Sequence, residues 1–222
     1  MTDFEIFSKP IPNNLNNRFI EFVSLEILKY LYPDKYSSLK LVDKPDLQDK
    51  ENQIGVEVVE AVNNNLAQID GEFYKYRFGK KTKEEKEKCR RTIERNGATV
   101  DEFGITYPVQ YSNEELDILK YAIEKKIEKF DNYSPNEFKV LDLFVMYPSY
   151  LMPHSDIVLN DFFKYIGKIN NKKYGRIFIF SGGVLITIKT DTSEWNVKRF
   201  KRKQYDRFML NVKERFIEIY LQ

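Results

Sequence analysis

A short apolar run with an acid inside it, Gly55-Val56-Glu57-Val58-Val59, most narrows what this chain can fold into. Runs of β-branched residues bounded by polar turns are typical of a buried β-strand. Just upstream, after the segment from Leu39 to Asp43, Pro45 is followed by Asp46, so two carboxylates lie near one strand. Two acids placed this way can hold a hard cation, which prefers oxygen ligands. This stretch therefore indicates metal-dependent chemistry.

The composition sets the class of protein. At 222 residues the length favours a single domain, 1–222, with a helical or irregular insertion at 79–111 and a C-terminal helix at 198–221. Lys and Arg total 36 against 34 Asp and Glu, so any face that binds nucleic acid must come from local clustering. The sequence shows no bilayer-spanning apolar run, no signal-peptide pattern and a single cysteine. We therefore expect an intracellular, cytoplasmic protein that binds no membrane.

Helical and strand patterns alternate along the chain, which predicts an α/β fold. One helix is expected from Asn16 or Asn17, either of which can cap it, until Pro33 stops it. Further helices are predicted at 66–78, 112–130, 155–166 and 198–221. Strands are predicted at 138–147, 176–180 and 184–188, and the last two are joined by a turn at Gly182-Gly183.

Other catalytic classes have little support in the residues. His154 is the only histidine and Cys89 the only cysteine, which excludes a zinc site built on several histidines or on a thiolate cluster. A nucleophilic pair of these two residues would lack any local signature. There is no Gly-rich phosphate loop ending in Lys-Ser/Thr. Kinase, ATPase and dehydrogenase functions are therefore disfavoured.

With Pro45-Asp46 as a first acid and Glu57-Val58-Val59 as a second block, residues 17–62 resemble the PD-(D/E)xK nuclease superfamily, the fold of many restriction enzymes and repair nucleases. The resemblance implies a restriction-endonuclease-like α/β/α sandwich with a central mixed sheet. It also implies Mg²⁺ or Mn²⁺ held by Asp46, Glu57 and the Val58 carbonyl. The implied partner is nucleic acid, more often DNA, and a homodimer is left open.

The sequence departs from the family at Val59, where the family has a lysine that activates or orients the attacking water. Residues 57 and 59 of a strand point to the same face, and valine can neither donate nor relay a proton. Either a lysine reaches in from elsewhere, or this chain binds without cutting. Lys126 is the candidate, because it lies between Ile123 and Phe130 at the border of its helix's apolar face. The alternative is a lysine that extends to solvent.

Members of the family often carry a glutamate on the first helix that points toward the metal. The helix predicted here offers Glu21 and Glu26. Glu21, seven residues before Leu28, has the spacing that looks like the family's helix, and Glu26 stays open. An ordinary solvated acid is the alternative for either residue.

The most basic segment of the chain is 198–203, with five cations in six residues. These are Lys198, Arg199, Lys201, Arg202 and Lys203. We call them the basic segment and predict that they contact phosphates, with Trp195, Phe200 or Tyr205 stacking on bases. The alternative is a basic turn that leads into a docked helix.

Three interpretations of these residues are therefore open. The favoured one is a metal-dependent nuclease that hydrolyses phosphodiester bonds of nucleic acid. The second is a nuclease-like fold that has lost catalysis and serves as a nucleic-acid-binding or protein-interaction module. Val59 favours it, whereas the intact acids disfavour it, because carboxylates facing a phosphate repel it without a cation. The third is a chance occurrence of a short pattern.

Overall fold

The computed structural model describes residues 2–62, 64–79, 82–101, 105–106, 112–130, 137–148, 156–171 and 173–221. The chain forms two compact units, one of residues 1–61 and 119–222 and one of residues 62–118. The insertion predicted at 79–111 falls in the range of the second unit, and His154 lies outside the described residues. Over the described ranges, no helix is long and apolar enough to cross a membrane.

The elements have the following bounds. The α-helices are α1 (Asp3–Ser8), α2 (Asn16–Leu31), α3 (Pro33–Tyr36), α4 (Asn64–Phe78), α5 (Lys83–Arg95), α6 (Ser112–Glu128), α7 (Asp156–Asn170) and α8 (Arg202–Tyr220). The strands are β1 (Lys40–Leu41), β2 (Leu47–Asp49), β3 (Ile54–Glu60), β4 (Thr99–Val100), β5 (Ile105–Thr106), β6 (Val140–Met146), β7 (Arg176–Ser181), β8 (Val184–Lys189) and β9 (Trp195–Arg199).

The first unit is built on a seven-stranded sheet in the order β1-β2-β3-β6-β7-β8-β9. Strands β3, β6 and β7 run parallel, and the other neighbours are antiparallel, so the sheet is mixed. The predicted α/β sandwich with a central mixed sheet is confirmed.

The side chains of β3 alternate between the two faces of the sheet. Val56 and Val58 are buried in the core with Phe22 of α2 and Phe216 of α8. Because successive strand side chains point to opposite faces, Glu57 points away from that core. The apolar neighbours of Glu57 therefore hold α2 and α8 on one side of the sheet, while the acid itself faces the other.

The ends of several predicted elements differ from expectation. The helix predicted at 155–166, for example, runs on to Asn170. Helix α2 begins at Asn16, but Leu15 occupies the cap position without a side-chain hydrogen bond, because a 3₁₀ turn at Asn13–Leu15 leads into the helix. Lys198 and Arg199 end β9, so the C-terminal helix starts only at Arg202.

The described residues of the second unit include a buried cluster of their own. Helix α5 begins with the reciprocal hydrogen bonds of Thr82 and Glu85 that satisfy the first turn. Ile69 of α4, Ile93 of α5 and Ala98 form its buried cluster.

Candidate metal and catalytic site

The turn before β2 presents Asp46 to β3. The antiparallel register pairs Leu47 with Val56, so one position further along it sets Asp46 opposite Glu57. The Asp46 Oδ2 atom accepts a hydrogen bond of 2.7 Å from the backbone N–H of Val58. The two acids of the sequence pattern therefore meet across neighbouring strands.

Gln48 holds this turn in place. Its buried side chain donates from Nε2 to the carbonyl oxygens of Asp43, at 3.2 Å, and Pro45, at 3.1 Å. Gly55 permits the approach of β3, since a Cβ there would lie 2.6 Å from Cγ of Pro45. Our sequence reasoning did not find Gln48. The signal available in the sequence was weak: Gln48 is the polar middle residue of a strand of three residues, Leu47–Asp49, all of them buried.

Glu57 and Lys126 form an ion pair inside the first unit. Glu57 is 1% exposed, and its Oε2 atom lies 2.7 Å from Nζ of Lys126. The Lys126 side chain is 18% exposed, so its ammonium borders solvent while contacting the buried acid. The structure thus brings the lysine singled out from helix periodicity to the second acid, whereas Val59 on β3 offers no polar group.

Residues that follow α7 hold the turn of α6 that carries Lys126. The Tyr174 hydroxyl donates to the Lys126 carbonyl at 3.2 Å, and Lys173 Nζ donates to the Ile127 carbonyl at 2.9 Å. The last carbonyls of a helix lack intrahelical partners, and a cation near them also favours the helix dipole. These bonds fix the end of α6 and with it the position of Lys126.

The site shifts the acidity of Asp46. Burial raises the pKa of Asp46 above the ordinary aspartate value, and the Val58 amide and the charge of Lys126 offset this only in part. A carboxyl with a raised pKa gains from a nearby cation, because the cation stabilises its charged form.

Glu21 lies near Asp46, whereas Glu26 is engaged elsewhere. Burial raises the pKa of Glu21, the bond from Arg18 at 3.0 Å lowers it, and the charge of Asp46 raises it further. Glu26 pairs instead with Arg215 of α8, at 2.6 Å. Of the two glutamates, Glu21 is the one whose carboxylate is repelled by the charge of Asp46, the first acid.

The donor set at this site suits magnesium. Within the described ranges, no group of three or more His, Cys, Asp or Glu is gathered to hold a metal. However, Mg²⁺ is commonly bound through one or two carboxylates and keeps several waters. Asp46 and Glu57 are two such acids, and Asp46 uses only Oδ2 in a hydrogen bond to the described residues. The Val58 carbonyl would be a third oxygen.

The basic segment is only partly available to a ligand. Lys198 Nζ donates to the Leu31 carbonyl at 2.6 Å and lies 3.6 Å from the centre of the Tyr32 ring. The four other cations are exposed: Arg199, Lys201, Arg202 and Lys203. Lys198 therefore anchors β9 to the end of α2, and the other four cations are the ones exposed for the predicted phosphate contact.

Two of the predicted stacking residues are packed into the fold. The Trp195 ring contacts Phe163, and its Nε1 donates to Asn160 at 2.8 Å. Phe200 stacks on Tyr30, with ring centres 5.2 Å apart. Neither ring is placed to receive a base without leaving its partner.

No protein-family model, curated protein or solved structure matches this chain. The fold is an α/β/α sandwich, and its site is an acid pair with an ammonium. The resemblance to the PD-(D/E)xK nucleases stays a prediction that rests on these residues.

Proposed function

We propose that this chain is a metal-dependent nuclease that hydrolyses phosphodiester bonds of nucleic acid, and we favour DNA over RNA as its substrate. The observation that supports it is the contact of 2.7 Å between Lys126 Nζ and Glu57 Oε2, beside Asp46. Phosphodiester hydrolysis needs carboxylates to hold a divalent cation and a donor to stabilise charge on the phosphate. The chain brings both kinds of group together, although the lysine comes from α6 and not from β3.

Each residue has a role in this proposal. Bound Mg²⁺ or Mn²⁺ would polarise the phosphodiester and lower the pKa of a bound water. Asp46, Glu57 and the Val58 carbonyl would hold the cation, and Glu21, which is paired with Arg18, would be a further acid near Asp46. An ammonium has three donors, so Lys126 can keep its bond to Glu57 while it donates to a phosphate oxygen or orients the water.

The test is a cleavage assay with labelled single- and double-stranded DNA and RNA, with magnesium, manganese or chelator. We expect Asp46→Asn and Glu57→Gln to abolish metal-dependent cleavage while the fold is retained. Lys126→Gln removes the donor to the phosphate and should lower the rate by about 10²- to 10³-fold. The matched control is Lys125→Gln, at the exposed neighbouring position on α6, which should cleave as the wild type does. Cleavage that survives both acid substitutions would show that the site is wrong.

A second candidate is a catalytically silent module that binds nucleic acid. The exposed cations of the basic segment favour it, because phosphate contacts alone give salt-dependent binding. Purified protein that cuts no substrate with either metal, yet binds nucleic acid in a salt-sensitive way, would support this candidate over the nuclease.

A further inference from the structure

A cavity of ≈ 250 Å³ lies on the α2 side of the first unit. Its walls are mostly apolar, and several are aromatic. The residues that matter here are Phe19, Ile20, Phe180, Tyr205 and Met209. Binding sites for drug-sized ligands are typically about 300–1,000 Å³, so this cavity is suited to a single ring system.

The cavity is at the end of the sheet where ligands of such folds bind. It is bordered by Met146, the last residue of β6, and by Phe180 near the end of β7. In open α/β sheets, ligands bind outside the carboxyl ends of the parallel strands. Met146 pairs with Glu60, three residues after Glu57 on β3. Glu57 is the middle residue of β3 and points to the face of the sheet opposite α2, so the cavity lies further toward the carboxyl ends of the strands and on the other face from Glu57.

Helix α2 connects the two places. Ile20 lines the cavity, and the next residue, Glu21, is in electrostatic contact with Asp46. Adjacent residues of a helix point in directions about 100° apart. One turn of α2 thus carries both a residue that lines the cavity and a residue near Asp46.

Cations adjoin the cavity. Tyr205 and Met209 of α8 line it, and Arg202 lies three residues before Tyr205 and seven before Met209, on the same stripe of the helix. The Lys201 carbonyl accepts the N–H of Tyr205 at 2.9 Å. Both cations are exposed. An aromatic cavity with exposed positive charge beside it matches the two chemical parts of a nucleotide.

We propose that this cavity binds one unpaired base of the nucleic acid, while Lys201 and Arg202 contact the adjoining phosphates. Bases of any sequence stack on aromatic rings, and three rings line the cavity. Phe180 is only 2% exposed, and Phe19 and Tyr205 each pack against another ring but stay half-buried, so a base would meet the exposed parts of Phe19 and Tyr205. The base comes either from a single strand or from a duplex that extrudes it. The inference rests on the proposed function because it takes nucleic acid as the ligand.

The test has two parts. One blocks the cavity with a larger side chain, and the other removes the bases from the nucleic-acid ligand. Met209→Trp puts a large ring into the cavity, and Asn211→Trp adds the same ring at an exposed position of α8 as the control. Affinities are measured by fluorescence anisotropy, with chelator present so that nothing is cut. The ligands are a short labelled single strand, the same strand with abasic sugars, and the duplex.

We expect Met209→Trp to weaken binding of the intact single strand by about tenfold, the loss of roughly one stacked base. The abasic strand should bind both proteins equally, and Asn211→Trp should change nothing. If Met209→Trp also weakens binding of the duplex, the bound base is one that the duplex extrudes. If binding of the duplex is unchanged, the base comes from a single strand.

Equal losses on the intact and abasic strands, or no loss at all, would overturn the proposal. Ile20→Trp fills the cavity from α2 and replaces Met209→Trp if that variant does not fold. Because binding is measured without cleavage, a base-dependent loss in a protein that cuts nothing would keep this inference and reject the nuclease. Cleavage without a base-dependent loss of binding would support the nuclease and reject this inference.

Discussion

The Glu57 carboxylate lies between two positions from which an ammonium can reach it. Val59 shares its face of β3, and Lys126 approaches from α6 to 2.7 Å. What an ammonium does at a phosphate depends on where Nζ lies and not on the element that carries it. If the proposed function is correct, the lysine can therefore be moved between these positions.

We expect Lys126→Ala to lose most cleavage and the double variant Lys126→Ala with Val59→Lys to recover part of it, in the same assay. The control combines Lys126→Ala with Glu60→Lys, which puts an ammonium on the other face of β3 and changes the net charge by two units instead of one. Recovery in the control as well would show that charge alone, without placement beside Glu57, accounts for the gain.

The raised pKa of Asp46 predicts a cost in stability at neutral pH. Because burial raises this pKa, the folded protein binds the proton more tightly than the unfolded chain does. The free energy of unfolding therefore falls as pH rises from the ordinary aspartate value through the raised value. Asp46→Asn removes that cost, and its amide oxygen can still accept the Val58 N–H.

We expect Asp46→Asn to melt higher than the wild type at neutral pH without divalent metal. The advantage should vanish below about pH 4, near the ordinary aspartate pKa. Asp49 is the control of opposite sign, because hydrogen bonds from the side chain and backbone of Asn52 lower its pKa. Asp49→Asn should destabilise at neutral pH and lose this effect in acid. Equal melting of wild type and Asp46→Asn at all pH values would contradict the assignment.

Long periodic elements could be predicted from the sequence, whereas short ones could not. The apolar run of β6 and the Gly182-Gly183 turn between β7 and β8 are local signals, and both glycines have positive φ angles, of 51° and 83°. Strands β1 and β2 have two and three residues, too few to show a period. Strand β9 was missed because its basic end resembled the start of the helix that follows.

Helix α8 depends on one buried ring for its docking. Phe216 is fully buried and meets Phe19 and Phe22 of α2, with ring centres 5.0 Å and 5.6 Å apart. We expect Phe216→Ala to lower the free energy of unfolding by about 3–5 kcal/mol, from lost burial and the cavity left behind. Ile219→Ala, three residues on and 57% exposed, should cost no more than about 0.5 kcal/mol. Urea unfolding measures both, and similar costs would contradict the packing described.

The candidate site could be predicted only in part, because its members are distant in sequence. Asp46 and Glu57 follow from local pattern, and Lys126 from its place beside the apolar face of α6. The contact of Lys126 with Glu57 spans 69 positions and depends on the crossover between β3 and β6. Gln48 and Tyr174 position the site through backbone carbonyls, and since every residue has a carbonyl, the sequence does not show which ones they contact.

Among the described residues, the two units differ in how much apolar surface they bury, and their stabilities should differ accordingly. The main core of the first unit includes Val56, Phe144 and Phe178, all fully buried, together with residues of α2 and α8. In the described part of the second unit, the buried cluster consists of Ile69, Ile93 and Ala98. Segments with few buried apolar contacts open at lower free energy than a protein's core. Local opening should therefore begin in the second unit.

Hydrogen exchange under native conditions tests this difference. We expect the amides of α4 and α5 to exchange through openings that cost less free energy than those of β3, β6 and β7, and to respond more weakly to denaturant. The exposed, ion-paired face of α5 is an internal control, because exposed pairs such as Arg90 with Glu94 add little stability. High salt should therefore leave exchange in α5 almost unchanged. Equal protection of the two units would mean that they unfold as one cooperative body, against the separate cores described.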